Sequence, residues 1–158
     1  MPPPENIGET IEAGMKKTEP DGVIRFEVEK VSTMKPSHIW FDYRYSPKVE
    51  VKGMSWRLNV YKDYNSLVAS LEPLHDQLTP WAVDVEAECT LVNIDSSKSV
   101  TKQTRVVNGW NRRDGYHDIN MGCLAKWEEL IDKDKGFIVD DKSTIEIRFW
   151  VSSMKGVR

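Results

Sequence analysis

Several things are scarce in this chain of 158 residues, and each scarcity excludes a class of protein. There are two cysteines, Cys89 and Cys123, too few for a disulfide framework, so a reducing compartment is the simpler setting. No apolar run approaches the ~20 residues of a membrane span. The start, MPPPENIGETIEAG, has neither a basic nor an apolar region and does not read as a secretory signal. Basic residues are outnumbered, 22 against 25 acids, which leaves a net charge of −3 and no footprint for a nucleic-acid backbone. The scattered glycines Gly109, Gly115 and Gly122 form no phosphate-binding loop, and no G-x-S-x-G occurs.

Metal-ligating and nucleophilic side chains are equally sparse. His38, His75, His117 and the two cysteines show no C-x-x-C and no H-x3-H spacing, so neither metal nor cofactor is expected. Cys123 lies six residues from His117, but no Asn or Asp is identifiable as an orienting partner, and Cys123 is expected as a small buried residue beside Leu124. Cys89 falls on the inward face of its strand, as a core thiol. The adjacent acids Asp140 and Asp141 would point to opposite sides of a strand, so they are expected to cap a turn.

What the chain does contain is period-two alternation. Residues 1–20 hold four prolines and two glycines without periodicity, a flexible lead-in. Beyond them, GVIRFEVEKVS puts Ile24, Phe26 and Val28 on one face. HIWFDYRYSP, KVEVKG, MSWRLNVYK (Trp56, Leu58 and Val60 inward), NSLVASLEP and KQTRVVN read as further strands. In WAVDVEAECTLVNI, Val83, Val85, Ala87, Cys89 and Leu91 alternate with Asp84, Glu86, Glu88 and Thr90, the pattern of a half-buried antiparallel strand. STIEIRFWV closes the series with Ile145, Ile147 and Phe149 inward. One stretch, NMGCLAKWEELIDKDKG, spaces Leu124, Trp127, Leu130 and Ile131 as a helix that Gly136 would stop. The expectation is an all-β antiparallel sandwich of seven to eight strands with one short helix, over residues 21–152.

Trp56, Phe26, Trp127 and Phe149 belong to the core by their spacing. Trp110 and Tyr116 lie in the aperiodic NGWNRRDGYHD, where large rings either plug the end of the sandwich or stand exposed for a ligand. Arg112 and Arg113 beside them are either a solvated loop or a basic rim suited to acidic or phosphorylated peptides. The acidic row Asp84, Glu86, Glu88 is expected to be a solvated face balanced across strands by Lys or Arg, the alternative being a wall beside a peptide groove.

The segment GFIVDDKSTIEIRFWV, residues 136–151, resembles the closing strand of MATH (meprin and TRAF homology) domains. GVIRFEVEKVS, SWRLNVY, YNSLVASL and VEAECTLVNID resemble the family's other landmarks in the family's order, so the likeness spans residues 21–151. It implies a non-enzymatic module that holds short linear peptides, extended, in a shallow groove across one sheet. Such domains joined to a BTB domain serve cullin-based ubiquitin ligases as substrate adaptors. That would make residues 153–158 the start of a linker to a further domain, with cullin reached through a BTB domain outside this chain. The setting would be cytoplasmic, with the nucleus as second option, the isolated domain monomeric and the full-length protein oligomeric.

By position in the likeness, Val68, Ala87 and Val106 stand where groove aromatics would. Asp114-Gly115-Tyr116 replaces a W-G-F triplet, keeping only the glycine and one ring, and Asn59, Arg113 and His117 would form the rim. The lost aromatics imply a changed peptide preference, with an apolar anchor over Ala87 and acidic or polar residues near Arg112 and Arg113. Against this stand a TRAF-type or deubiquitinase-linked scaffold, a structural sandwich with a vestigial groove, and a small hydrolase, for which no nucleophile, base and orienter are found.

Overall fold

Alternation along the chain becomes two layers of antiparallel strands. The computed structural model describes residues 18–74, 81–106 and 119–156. Nine strands form among them: β1 (Gly22–Val28), β2 (Tyr43–Tyr45), β3 (Val49–Val51), β4 (Met54–Asp63), β5 (Ser66–Leu74), β6 (Ala82–Leu91), β7 (Val100–Val106), β8 (Ile119–Lys126) and β9 (Ser143–Lys155). The first sheet runs β1-β9-β6-β7 and the second β2-β4-β5-β8, with the short β3 also on β4. β9, expected to end near residue 151, continues through Lys155 and pairs there with the start of β6.

The inward rows of the two sheets meet. Val83, Val85, Ala87, Cys89 and Leu91 of β6 and Ile145, Ile147 and Phe149 of β9 face Trp56, Leu58 and Val60 of β4 and Leu67, Ala69 and Leu71 of β5. Trp56 and Phe149 are fully buried with ring centroids 5.0 Å apart, and the indole Nε1 donates to the Val51 carbonyl at 3.2 Å. Phe26 and Trp127 are only half-buried, at the margin of this core. Gly22 lies against the Phe149 ring, where a Cβ would collide with it.

Two regions depart from expectation. Residues 119–126 are strand, and the helix is the single turn α2 (Trp127–Leu130), followed by a 3-10 turn over Lys133–Lys135. The helical spacing straddles a strand–helix junction. Its phase is reset by a bulge at Gly122, φ 80°, whose N–H is held by Asn120 Oδ1 at 2.6 Å. The bulge turns Cys123 outward, so it is exposed rather than buried, while Leu124 is buried. The aromatic stretch after Pro36 begins as a helical turn, α1 (Ser37–Trp40), before β2.

All connections from β1 to β2, β4 to β5, β6 to β7 and β8 to β9 emerge at one end of the sandwich. The 3-4 connection emerges at the other, where β7 ends and β8 begins. Asp140 and Asp141 sit at the first end in a turn, both left-handed (φ 53° and 59°). Asp141 caps the turn after β1, accepting from Ser32 N and Oγ at 2.8 and 2.7 Å. Those bonds hold its carboxyl below the ordinary 3.8.

Candidate functional site

With Trp56, Leu58 and Val60 committed to the core, Arg57, Asn59 and Tyr61 of β4 must face outward. In register beside them stand Glu72, Ser70 and Val68 of β5. Tyr43 and Tyr45 of β2 flank this row on one side. Asn120 and Cys123 of β8 flank it on the other. An outer face is thus built from four strands.

Its centre is polar and withdrawn from solvent: Ser70, Glu72, Asn59 and Val68 are all buried. The Glu72 carboxylate accepts from Arg57 Nε at 2.7 Å and from Asn59 Nδ2 at 3.1 Å. The Arg57 guanidinium lies over the Tyr45 ring, 3.8 Å from its centroid. Tyr43 meets Tyr61 edge to face at 5.4 Å, and Asn120 Nδ2 donates to the Tyr61 hydroxyl at 3.2 Å. The Asn59 Oδ1 acceptor is buried and makes no hydrogen bond among the described residues. A buried unpaired carbonyl costs about 1–3 kcal/mol.

Of the residues the resemblance points to, Val68 and Asn59 fall together on this face. Asn59 is a buried member of the polar cluster rather than an exposed rim residue. Ala87 does not join them. It sits on β6 in the other sheet, 1% exposed and in register with Phe149, so its methyl belongs to the core and offers no open space to an anchor. Val106, at the end of β7, is half-buried against the same core. Arg113, Asp114, Gly115, Tyr116 and His117, with Trp110 and Arg112, lie outside the described residues.

The tyrosines Tyr43, Tyr45 and Tyr61 and the Arg57–Glu72 pair were not singled out from sequence. Arg57 and Tyr61 share the outward phase of β4 with Asn59, and Glu72 stands opposite on β5, whereas β2 has Arg44 between its tyrosines and shows no such alternation. The acidic row of β6 faces outward on the first sheet, with Glu88 bonded to Gln103 at 2.9 Å and 3.8 Å from Arg148. It therefore lies on the opposite layer from Val68 and Asn59. Burial pushes the Cys89 thiol up to about 12, which keeps it protonated and unreactive.

Among the described residues, no group of three or more His, Cys, Asp or Glu is placed to hold a metal ion. No helix there is long and apolar enough to cross a membrane. No curated protein matches the chain at a significant level. The family model of the MATH domain does match, over residues 24–149, and the two antiparallel sheets agree with that fold. The chain belongs to the MATH domain family, whose members are protein-interaction modules.

Proposed function

We propose that this domain is the substrate-recognition module of a cullin-RING ubiquitin ligase adaptor. In this proposal it captures short linear motifs by strand addition beside the outer face of the second sheet. The observation that carries the reading is β8: it pairs with β5 on one side, and no other described strand pairs with its far edge. An extended peptide placed along that edge gains main-chain hydrogen bonds, while its alternate side chains reach toward the outer face. Val68 and Asn59 would then contribute from the floor. Arg113, Asp114, Gly115, Tyr116 and His117, which directly precede β8 in sequence, would contribute from the rim.

Tyr116 is the proposed anchor, and Arg113 the proposed contact for acidic or polar residues. The adaptor role, the BTB-mediated link to cullin and a cytoplasmic or nuclear setting follow from the likeness to BTB-linked members of the family. Affinity for one peptide would be modest, near micromolar, about −8 kcal/mol, and raised by avidity in an oligomer.

The test is a peptide-display selection on wild type and Tyr116→Ala in parallel. A consensus enriched by wild type and lost in the variant is expected. Methylating alternate backbone nitrogens of the selected peptide should abolish binding on one phase only, as strand addition requires. No enrichment by a folded domain would refute the reading and favour a vestigial groove. Turnover of a selected substrate that does not depend on cullin would refute the adaptor role alone.

A further inference from the structure

One end of the sandwich carries an apolar surface that the peptide face does not explain. Ten large hydrophobic side chains are exposed among the described residues, and seven of them fall in the connections of one end. They are Ile39, Trp40 and Phe41 after β1, Tyr64 between β4 and β5, Ile94 after β6, and Ile131 and Val139 before β9. β7 ends and β8 begins at the other end.

Around Asp140 this surface is concave. One cleft, of about 460 Å³, has Ile131 and Ile138 on its apolar side and Lys133 and Asp140 on its polar side. A second, of about 240 Å³, is lined by Ile94, Phe137 and Val139 and again by Asp140. Asp140 is thus the wall the two clefts share. Of its neighbours in charge, Asp141 is held by Ser32 and feels the charge of Lys133 across the cleft, and Lys142 lies 3.8 Å from Glu27. The Asp140 carboxylate makes no hydrogen bond or ion pair among the described residues and is exposed.

We infer that this end is a second docking site, independent of the β8 edge. It takes an extended polypeptide segment that presents a Lys or Arg between two apolar side chains. Alternate residues of an extended chain point the same way about 7 Å apart, so an apolar-x-cation-x-apolar segment offers three side chains to one surface. The flanking side chains would enter the two clefts, and the cation would meet Asp140.

Charge selects this occupant over a bilayer. The four connections of this end carry nine acids and six lysines, a surplus of three acids, which would repel an anionic membrane surface. Complementary charge on a polypeptide favours encounter and register.

The test uses the 158-residue chain and an array of labelled pentapeptides with Arg or Lys at the centre and Leu, Ile, Met or Phe at both ends. At least one peptide should bind wild type. Its affinity should fall about tenfold or more when the central Arg becomes citrulline, which keeps shape and removes charge. Asp140→Asn should have the same effect, and Asn accepts the left-handed backbone at this position. Ile94→Ser and Ile131→Ser alter exposed side chains, so both variants should fold and both should weaken binding. Tyr116→Ala should change nothing, which separates this site from the peptide face.

The inference is overturned if no peptide binds, if citrulline or Asp140→Asn has no effect, or if Tyr116→Ala abolishes binding. Association of wild type with phosphatidylserine vesicles, or dimerisation that Ile94→Ser and Ile131→Ser dissolve, would replace it with a membrane or a second copy.

Discussion

Among the described ion pairs, Arg57 and Glu72 form the one with the most buried carboxylate, and it should matter to stability. Glu72 has a side chain 5% exposed and Arg57 one 28% exposed, with 2.7 Å between Nε and Oε1. Arg25 and Glu146 on the first sheet are 58% and 32% exposed at 3.3 Å. Pairs of the second kind contribute about 0–1 kcal/mol. Removing one partner of a buried pair strands a charge and costs about 3–5 kcal/mol. Water entering the space left by Arg57, itself partly exposed, lowers that figure, so Arg57→Met should cost about 2–4 kcal/mol. For a domain of this size each kcal/mol lowers Tm by about 2–4 °C, so the melt should fall by about 4–16 °C.

The cause is tested by a double-mutant cycle in urea. Glu72→Gln removes the charge but keeps an acceptor for Asn59 Nδ2. In the Glu72→Gln background Arg57→Met should cost about 2 kcal/mol less than in wild type, because no charge is then stranded. Arg25→Met is the control and should stay within about 1 kcal/mol. The reasoning is refuted if the two substitutions at the buried pair add without coupling, or if Arg57→Met is as mild as the control.

Other expectations follow from the same physical terms. Trp56→Ala empties the centre of the core and removes an indole bonded to Val51, so it should cost about 3–5 kcal/mol by urea denaturation. Asp141 has a carboxyl lowered by the Ser32 side-chain and backbone bonds, so its contribution is present above the unfolded value near 3.8 and is lost as pH falls through the lower folded value. Ser32→Ala should therefore reduce the loss of stability on acidification below about pH 4, seen as a flatter Tm-against-pH curve. In the native protein at pH 8 a thiol reagent should modify Cys123 rapidly and leave Cys89 untouched until denaturant is added. Two equally fast thiols would contradict the burial of β6.

Legibility in the sequence followed burial on one face. β6 and β9 could be read almost residue by residue because each has one wet and one dry side, and alternation is the direct imprint of that. Where the chain changes period, reading failed. Leu124, Trp127, Leu130 and Ile131 lie at helical spacing, yet Leu124 belongs to a strand whose phase Gly122 shifts. Only four residues beyond it turn into helix. At Ser37–Trp40, aromatic content suggested strand, but the Trp40 and Phe41 amides bond to the carbonyls of Pro36 and Ser37 and close a helical turn. Period gives a residue's face but not its sheet. Val68 and Ala87 both look like small apolar strand residues, and only the pairing of β5 with β4 and of β6 with β9 puts one on the outer face and the other in the core.

That limit explains what the outer face of the second sheet can recognise. A face that was merely a solvated side of a sandwich would carry isolated, exposed ion pairs, such as Arg25–Glu146 on the first sheet. Here a carboxylate, a guanidinium, two amides and three tyrosines interlock across β2, β4, β5 and β8, and one amide oxygen is left over. Buried polar groups held this way are stiff, because each fixes its neighbour. An acceptor shut from water is read only by a ligand that displaces the side chains over it: one with an N–H at the right place then gains a bond, and one without it leaves the carbonyl dry and unpaired. Asn59→Leu should then keep the fold while lowering discrimination among peptides, with affinities for donor-bearing and donor-lacking peptides converging. If Asn59→Leu weakens every peptide by the same factor, Asn59 supports the floor without reading the ligand.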